Sequence, residues 1–448
     1  MLTGWGRAAP TMAEVYQPRS PDDVSALLAA ADGRGAVARG LGRSYGDAAQ
    51  NGGGEVLDMT AMATVNAIDL ERGLVAAEGG VSLDRLMRSL VPLGWFVPVT
   101  AGTRHVTVGG AIAADIHGKN HHRDGSFCSH VTSLTLQTAG RTIVAGPDTH
   151  PEIFWATAGG MGLTGVVTDA IVQMLPIQTS MIRQDTERAD NLEEVMALME
   201  SGDDAYRYSV AWIDCVAQGG QLGRSVLTRG DHAELDELPA AKLGKALAFG
   251  PKTPLGAPSW MPSGLVRPVT ERAFNELYFR HAPRREEGRL VGLAAFFHPL
   301  DLVSAWNRVY GRRGFLQYQL VVPFGAEDVI RTAIESLQRI GAPSSLAVLK
   351  RFGEGDAGHL SFPIRGWTLT LDVAIGDPRL APTLDRLDEM GAGAGGRIYL
   401  AKDSRMRPEL VSQMYPRLAE WQKVQARLDP DGVFQSDLSR RLRLTTRS

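Results

Sequence analysis

Residues 38–47 form a glycine-rich segment, here called the first glycine loop, that follows directly from a predicted strand at 36–39. Glycine adopts positive φ at no steric cost, so successive backbone N–H groups in such a segment can converge on a phosphate. Ser44 adds a hydroxyl group and Arg43 adds a fixed positive charge. Taken alone, the segment is equally typical of a plain tight turn.

A second glycine-rich segment, residues 102–120, is here called the second glycine loop. It contains Gly102, then Gly109 and Gly110 in succession, and ends in the polar run Asp115-Ile116-His117-Gly118-Lys119-Asn120. A flat ring system or a diphosphate that presses against the main chain needs positions without a Cβ atom, which Gly109 and Gly110 provide. Together the two loops indicate a bound cofactor more strongly than either loop alone.

Gly160–Gly165 matches the dinucleotide pattern G-x-G-x-x-G. In that motif a strand precedes the glycines and a helix follows, so that the helix N-terminus meets the pyrophosphate. Here a predicted helix at 151–158 comes first and a predicted strand at 166–174 follows. The order argues against a Rossmann fold, although these glycines can still line a cofactor by another geometry.

His117, His121, His122 and His130 lie close in sequence to Cys128 and raise the question of a zinc site. Structural zinc sites favour several cysteines at regular spacing, and the chain has two cysteines with no such spacing. We therefore predict no metal, and no disulfide framework.

The pattern of elements predicts an α+β fold in which the glycine loops belong to the first domain. That domain contains helices at 22–31, 83–90 and 151–157, a hairpin at 134–144 and a strand at 165–175. From about residue 180, predicted strands at 206–213, 290–297, 315–322 and 367–373 indicate an antiparallel sheet, with helices at 327–340 and 380–390 on one face. A further helix is predicted at 407–423.

The predicted domains are a cofactor-binding domain at 1–179, a substrate domain at 180–396 and a C-terminal segment at 397–448 that returns to the first domain. The proline-rich segment 239–268, with Trp260 and Met261, is either a lid or a disordered insert. Gly391–Gly396 is predicted to be a flexible connection between the domains.

The composition is that of an ordinary globular protein, with 44% apolar and 22% charged residues in 448. The formal net charge of −3 does not favour capture of nucleic acid. The N-terminus lacks a signal-peptide pattern and no transmembrane helix is predicted, so the protein is expected to be soluble or at most peripheral to a membrane. Glycine is in excess, with 50 residues, and much of the excess lies in the two loops.

The two loops resemble the FAD domain of the vanillyl-alcohol-oxidase-type flavoproteins. Further motifs, at 2–7, 315–319, 360–364, 399–405, 414–416 and 436–438, are similar to those of family members that act on decaprenylphosphoryl-β-D-ribose. The resemblance covers nearly the whole chain and implies a two-domain fold with bound FAD. The FAD contacts that it implies are Ala38, Arg39, Gly40, Leu41, Gly42, Arg43, Ser44, Tyr45, Gly46, Asp47, Gly102, Thr107, Val108, Gly109, Gly110, Ala114, Asp115, Ile116, His117, Val167, Tyr399 and Lys402.

Several related flavin oxidases carry a histidine in the first loop that attaches covalently to the flavin. Tyr45 stands at that place here, so the resemblance implies non-covalent FAD. Oxidation of a secondary alcohol requires a hydride acceptor, a group that takes the hydroxyl proton, and a group that stabilises the charge that grows on the flavin. The resemblance assigns the last role to Lys402 and implies that Gln319, His117 and Tyr45 also act catalytically.

The implied substrate contacts are Lys119, Gln317, Gln319, Lys350, Thr368 and Thr370. Gln317 and Gln319 alternate along one strand and so share a face. Lys350 would bind either the lipid phosphate or the sugar. Relatives carry cysteine where Thr370 stands and commonly asparagine where Thr368 stands. Because this chain has no cysteine at either position, the resemblance implies that a thiol is not needed for hydride transfer. The general base stays unassigned, with His117 a candidate.

The activity implied by the resemblance is oxidation of the ribose 2-hydroxyl to a 2-keto intermediate. A separate NAD(P)H-dependent short-chain reductase would then complete an epimerisation to the arabinose donor of cell-wall arabinan. The expected location is the cell envelope, peripheral at the plasma membrane, with the membrane face unassigned. Two alternatives remain: a soluble alditol or sugar-lactone oxidase that uses O₂, and a flavin-binding scaffold without turnover.

Overall fold

The computed structural model describes residues 1–31, 33–253, 255–258 and 268–445 of the chain. The part of the predicted lid that contains Trp260 and Met261 lies outside the described residues. Within the described ranges, no helix combines the length and the apolar character that crossing a membrane requires.

The strands of the described residues are β1 (Glu14–Tyr16), β2 (Ala36–Arg39), β3 (Glu55–Asp58), β4 (Val65–Asp69), β5 (Leu74–Glu78), β6 (Trp95–Phe96), β7 (Val131–Gln137), β8 (Thr142–Ala145), β9 (Val166–Gln173), β10 (Leu175–Pro176), β11 (Met181–Ala189), β12 (Tyr208–Ile213), β13 (Ser225–His232), β14 (Leu255–Gly256), β15 (Arg285–Gly292), β16 (Val303–Ser304), β17 (Phe315–Pro323), β18 (Leu346–Phe352), β19 (Gly366–Ala374) and β20 (Arg397–Ile398).

The α-helices are α1 (Pro21–Ala30), α2 (Leu83–Leu90), α3 (Val108–Ala113), α4 (His121–Asp124), α5 (Pro151–Thr157), α6 (Leu192–Gly202), α7 (Ala240–Leu243), α8 (Pro268–His281), α9 (Leu293–Phe297), α10 (Glu327–Arg339), α11 (Leu380–Gly393), α12 (Val411–Met414), α13 (Leu418–Leu428) and α14 (Asp437–Leu442).

The first part of the chain builds two small sheets that carry the glycine loops. One is parallel, in the order β1-β3-β2, and the first glycine loop leaves the end of β2. The other is antiparallel, in the order β4-β5-β9-β7-β8. Local signals set the helix starts, because Ser20 and Ser82 cap α1 and α2 through their side chains.

The second part of the chain builds one eight-stranded antiparallel sheet, in the order β15-β11-β13-β12-β18-β19-β17-β20. Helices α10 and α11 pack on one face, with the buried side chains of α10 turned toward the sheet. This confirms the predicted antiparallel sheet with helices on one face. The last strand, β20, lies beyond residue 396, so this sheet extends into the segment predicted to return to the first domain.

The C-terminal segment also contacts the first part of the chain. Phe434 forms a parallel bridge with Ala36 beside β2. Arg441 forms ion pairs with Asp47 and Asp403, each at 2.8 Å. The end of the chain therefore stabilises β2 and the first glycine loop.

Three sequence predictions are wrong in detail. The predicted strand 290–297 ends at Gly292, and α9 follows because Phe296 and Phe297 pack with Tyr208 in a buried aromatic cluster. The predicted helix 407–423 is interrupted before α13, where Pro416 lacks the N–H that a continuous helix needs. The segment 391–396 is no flexible connection, since it ends α11 and the Gly396 N–H donates to the Gly391 carbonyl at 2.8 Å.

Candidate active site

A cavity of about 300 Å³ lies between the two glycine loops and the sheet face opposite α10 and α11. Most of the residues predicted to contact the cofactor line it: Ala38, Arg39, Gly40, Leu41, Gly42, Arg43, Ser44, Tyr45, Gly102, Thr107, Gly109, Gly110, Ala114, Ile116, Val167, Tyr399 and Lys402. Of the predicted substrate contacts, Gln317, Lys350 and Thr370 line the same cavity. One space therefore joins the predicted cofactor and substrate residues.

The first glycine loop presents unused hydrogen-bond donors to this cavity. Within the described part of the chain, the backbone N–H groups of residues 41–44 have no hydrogen-bond partner. Gly42 has φ +64°, the conformation that turns successive N–H groups toward one point. The Arg43 guanidinium lies 3.9 Å from the centre of the Trp5 ring, and its buried Nε is unpartnered. This arrangement is an anion-binding nest with a fixed positive charge.

Two charged residues of this loop serve the protein framework instead. The Arg39 side chain lines the cavity. Its guanidinium nevertheless donates to the carbonyls of Ala49 and Thr3, each at 2.8 Å, so it holds the surrounding main chain in place. Asp47 does not line the cavity and accepts two hydrogen bonds from Arg441.

Gly46, also predicted as a cofactor contact, does not line the cavity either. It packs against the main chain of Asp403, where an added Cβ would lie 1.8 Å from the carbonyl oxygen. Gly46 and Asp47 therefore fix the loop from outside the cavity lining.

The second glycine loop begins α3 against the same cavity. Thr107 caps the helix by accepting the Gly110 N–H at 3.1 Å. The Gly109 N–H donates to the Gly79 carbonyl at 2.8 Å, and a Cβ on Gly109 would lie 3.1 Å from that oxygen. Val108 points into the core and is fully buried, so its predicted cofactor contact is a further correction.

Asp115 is a structural anchor rather than a cofactor ligand. Its carboxylate accepts the Cys128 N–H at 3.0 Å and the Ser361 hydroxyl, and it does not line the cavity. Burial raises the pKa of Asp115 well above its ordinary value, and the nearby Asp356 raises it further. The carboxyl group therefore ties the second glycine loop to the segment that carries Ser361.

The segment Gly160–Gly165 follows helix α5 and precedes strand β9, which confirms that its order is the reverse of the dinucleotide motif. Met161, Gly162 and Gly165 nevertheless line the cavity. These glycines thus contribute to the cofactor region by a geometry other than a helix N-terminus.

The sheet supplies the polar wall of the cavity. Because side chains alternate along a strand, Gln317 of β17, Asp372 of β19 and Lys350 of β18 all face the same side. Gln317 lies directly opposite Asp372, and its amide donates to the carboxylate at 2.6 Å. Thr370 and Val348, the next pair along, also line the cavity.

Asp372 is the functional residue that the sequence analysis missed. It is fully buried, it lines the cavity, and its Oδ2 has no partner among the described residues. Burial raises the pKa of Asp372 to about 7, although Gln317 and Lys402 act in the opposite direction. The available signal was a carboxylate in the otherwise apolar or hydroxyl-bearing strand 367–373, in the same alternation as Thr368 and Thr370.

Lys402 enters the cavity from the loop that follows β20. Its Nζ lies 5.5 Å from the centre of the Tyr45 ring and 6.0 Å from that of Tyr399. Burial lowers the pKa of Lys402 to about 7, and the charge of Lys350 lowers it further, whereas Asp372 raises it. Near neutral pH both the Asp372 carboxyl group and the Lys402 amine therefore titrate, and the charge of each affects the pKa of the other.

Tyr45 and Lys350 complete the ionisable groups of the wall. Burial, with a further effect of the Asp372 charge, raises the pKa of Tyr45 well above its ordinary value, so the phenol stays protonated and can donate a hydrogen bond. Burial lowers the pKa of Lys350 to about 8, and at this value most of its ammonium is still charged at neutral pH.

Gln319, His117 and Thr368 form a buried hydrogen-bonded group behind the cavity wall. The Gln319 amide nitrogen lies 3.0 Å from His117 Nε2 and donates to Thr368 Oγ1 at 2.9 Å. None of the three lines the cavity itself. Burial and the charges of Lys350 and Lys402 lower the pKa of His117 well below its ordinary value. His117 is accordingly neutral and poorly suited as a base.

Lys119 lies apart from the cavity. Its ammonium donates to the Phe296 carbonyl and lies 4.3 Å from the centre of the Phe296 ring. Its predicted contact with substrate stays a prediction.

Among the described residues, no three or more His, Cys, Asp or Glu side chains gather in a way suited to a metal ion. The cavity instead combines the anion nest of the first glycine loop, the glycine main chain of the second loop, and a polar wall with an ammonium group. These features fit a dinucleotide with a flat ring, and together with the fold they define an FAD-dependent oxidoreductase of the vanillyl-alcohol-oxidase type.

Comparison with known proteins agrees with this class and narrows it. Residues 12–145, which hold both glycine loops, match the FAD binding domain family, and residues 383–442 match the D-arabinono-1,4-lactone oxidase family. Decaprenylphosphoryl-β-D-ribose oxidase of Mycolicibacterium smegmatis is 45% identical over 99% of this chain and 97% of its own length. The chain belongs to the decaprenylphosphoryl-β-D-ribose oxidase family.

Two further relatives show the range of similarity. An uncharacterised protein of Streptomyces coelicolor is 43% identical over 81% of this chain and 100% of its own length. L-gulono-1,4-lactone dehydrogenase of Mycobacterium tuberculosis is 24% identical over 96% of this chain and 95% of its own length.

FAD is expected to leave the protein on acid precipitation. The described residues that line the cavity include neither histidine nor cysteine. The measurement is the absorbance of the supernatant and the pellet after precipitation with trichloroacetic acid. A yellow pellet with a colourless supernatant would show a covalent bond and refute the prediction.

Proposed function

We propose that the protein oxidises the ribose 2-hydroxyl of decaprenylphosphoryl-β-D-ribose to the 2-keto intermediate. The observation that carries the proposal is one cavity in which the anion nest of an FAD site meets a polar wall of Gln317, Lys350, Asp372 and Lys402. The choice of substrate is supported by the similarity, over 99% of this chain, to a decaprenylphosphoryl-β-D-ribose oxidase.

Oxidation of a secondary alcohol removes one hydride from carbon and one proton from oxygen. When bound, FAD supplies the hydride acceptor. The backbone N–H groups of residues 41–44 and Arg43 would hold its diphosphate, and the glycines of the second loop would lie along its length. The remaining tasks belong to side chains of the sheet wall and to Lys402.

Asp372 is the group proposed to take the hydroxyl proton. Asp372 lines the cavity, its Oδ2 has no hydrogen-bond partner among the described residues, and the Gln317 amide donates to the other carboxylate oxygen at 2.6 Å. A base works best when its pKa is close to the working pH, and the pKa of about 7 for Asp372 meets that condition. Asp372 replaces His117 as the candidate general base.

Lys402 is proposed to supply positive charge where negative charge develops on the cofactor. Its ammonium form is required, and Asp372 in its carboxylate form favours that ammonium. Tyr45 can donate a hydrogen bond in the same region, since its phenol remains protonated. Lys350, charged at neutral pH, is proposed to bind the substrate phosphate.

The alternative of a soluble alditol or sugar-lactone oxidase has weaker support. The lactone-oxidase family matches only residues 383–442, and the lactone dehydrogenase is only 24% identical. A scaffold without turnover is disfavoured by the buried, unpartnered Asp372 oxygen beside Lys402, since a purely structural site has no need of it.

The product ketone requires a hydride donor for its reduction to the epimeric alcohol. We propose that a separate NAD(P)H-dependent short-chain reductase is the partner that completes the epimerisation to the arabinose donor of cell-wall arabinan. A polyprenyl phosphate resides in a membrane, so we propose a peripheral position at the plasma membrane within the cell envelope.

The substrate assignment is tested by steady-state kinetics with a dye as electron acceptor. The purified protein is expected to convert polyprenylphosphoryl-ribose to a product two hydrogens lighter, and to show much lower kcat/KM with L-gulono-1,4-lactone. A higher kcat/KM with the lactone would favour the alternative and overturn the proposal.

A further inference from the structure

Helix α8 carries an exposed apolar stripe, here called the α8 stripe, formed by Phe274, Leu277 and Tyr278. Their exposed fractions are 61%, 69% and 44%. The spacing i, i+3, i+4 places the three side chains on one helix face. Phe274 and Tyr278 stack with their ring centres 6.1 Å apart. Large apolar side chains grouped in this way on a surface mark a contact with an apolar partner.

The opposite face of α8 is fixed to the sheet. The Asn275 amide donates to Asp214 at 2.8 Å, and Glu276 forms an ion pair with Arg224 at 2.7 Å. Phe279 is buried, with the Arg224 guanidinium 4.7 Å from its ring centre. The helix therefore has a defined orientation, and the stripe is held outward.

The stripe is continuous with the active-site cavity. The Tyr278 ring lies 4.7 Å from the Trp212 ring, centre to centre. Trp212 of β12 is directly opposite Val348 of β18, so their side chains share one face of the sheet. Val348 lines the cavity. An apolar path thus runs from the cavity wall through Trp212 and Tyr278 to the exposed stripe.

The charges around the stripe suit an anionic lipid. Arg272, Arg280 and His281 are exposed on the same helix. Glu276 is neutralised by Arg224 and also by Arg280, at 2.5 Å. Phe, Leu and Tyr on one side of a helix with basic residues beside them suit a lipid that joins an apolar chain to an anionic head group, which is the chemistry of a polyprenyl phosphate.

We propose that the α8 stripe, with Tyr278 and Trp212 as its link to the cavity, binds the polyprenyl chain of the substrate. This inference rests on the proposed function and deepens it. The cavity also has to hold the cofactor, whose predicted contacts line it, so a long isoprenoid chain extends beyond it. Trp212 and Tyr278 offer apolar side chains from the strand beside the cavity wall to the stripe.

The test compares two substrates that differ only in chain length: a short, soluble prenylphosphoryl-ribose and a long-chain form in detergent micelles. The variant is Phe274→Ser with Leu277→Ser, which spares Trp212 and Tyr278. The matched control is Val144→Ser with Leu93→Ser, two apolar side chains of similar exposure, 55% and 47%, on the first domain. Bound-FAD absorbance and far-UV circular dichroism verify folding of each variant.

The ratio of kcat/KM for the long chain over the short chain is expected to fall about tenfold or more in the α8 variant, since two apolar contacts are lost. The control is expected to keep the wild-type ratio. An unchanged ratio in the α8 variant would overturn the proposal. Loss of binding to phosphatidylglycerol vesicles with an unchanged ratio would also overturn it, because the stripe would then contact the bilayer rather than the substrate chain.

The two hypotheses fail in different ways in this experiment. Failure of the wild-type protein to oxidise even the short-chain substrate would count against the proposed function. Normal wild-type turnover of both substrates with no difference between the α8 variant and its control would count against the α8 stripe alone.

Discussion

Replacement of Asp372 by asparagine is expected to lower kcat for polyprenylphosphoryl-ribose by roughly 10²- to 10⁴-fold, the usual contribution of a positioned general base. Asparagine keeps the size of the side chain and its position opposite Gln317 but cannot take a proton at neutral pH. The measurement is steady-state kcat and KM, with bound-FAD absorbance to show that the cofactor site is intact. A kcat within about threefold of wild type would refute the assignment.

The pH profile separates a catalytic role of Asp372 from a structural one. Burial raises the pKa of Asp372 to about 7, and the carboxylate form is the active base, so wild-type kcat/KM falls as the pH drops below about 7. Asp372→Asn is expected to lose this acid limb. Asp372→Glu should restore part of kcat together with the limb. A variant that keeps the acid limb would place the titrating group elsewhere.

Replacement of Lys402 by methionine is expected to lower kcat by about 10²- to 10³-fold, the typical cost of removing one group that stabilises transition-state charge. Methionine fills similar space without charge. The active form of Lys402 is the ammonium, and its pKa of about 7 predicts that wild-type kcat/KM also falls above that pH. The alkaline limb should disappear in the variant.

The coupling between the two groups gives this prediction a sharper test. The charge of Lys402 lowers the pKa of Asp372, so the acid limb of Lys402→Met should move to higher pH. Lys350→Met is the matched control, because it also removes one ammonium from the cavity. The charge of Lys350 lowers the pKa of Lys402, so the alkaline limb of the Lys350→Met variant should move to higher pH. Lys350→Met should mainly raise KM. Equal loss of kcat in both variants would contradict the distinct roles.

The cofactor region was largely predictable from the sequence because its requirements are local. A nest of N–H groups needs glycines close together after a strand, and residues 38–45 and 102–110 show that pattern directly. The reversed order around Gly160–Gly165 was also readable, since it depends only on the helix before and the strand after.

The errors arise where a residue's partner is distant in sequence. Asp47 is a suitable loop residue for a cofactor contact, but its ion pair with Arg441 comes from the far end of the chain. Lys119 donates a hydrogen bond to the Phe296 carbonyl, and Gln319 is hydrogen-bonded to His117 and Thr368. Local sequence gives no sign of these contacts, which form only when the sheet and the first domain pack together.

Asp372 was missed for a related reason. Its alternation with Thr368 and Thr370 was visible, but its importance depends on facing Gln317 across the sheet and Lys402 from another loop. The pairing of β17 with β19 joins Gln317 to Asp372 across 55 residues of sequence, and the loop after β20 brings in Lys402. The catalytic wall is thus a property of the sheet register rather than of any single motif.

The most direct test of the central claim is anaerobic mixing of the FAD-loaded protein with polyprenylphosphoryl-ribose. The absorbance band of oxidised flavin should bleach in proportion to the substrate added, up to one equivalent per protein. Lys402→Met and Asp372→Asn should bleach much more slowly. A wild-type band that stays unchanged with this substrate, yet bleaches with dithionite, would contradict the proposed oxidation.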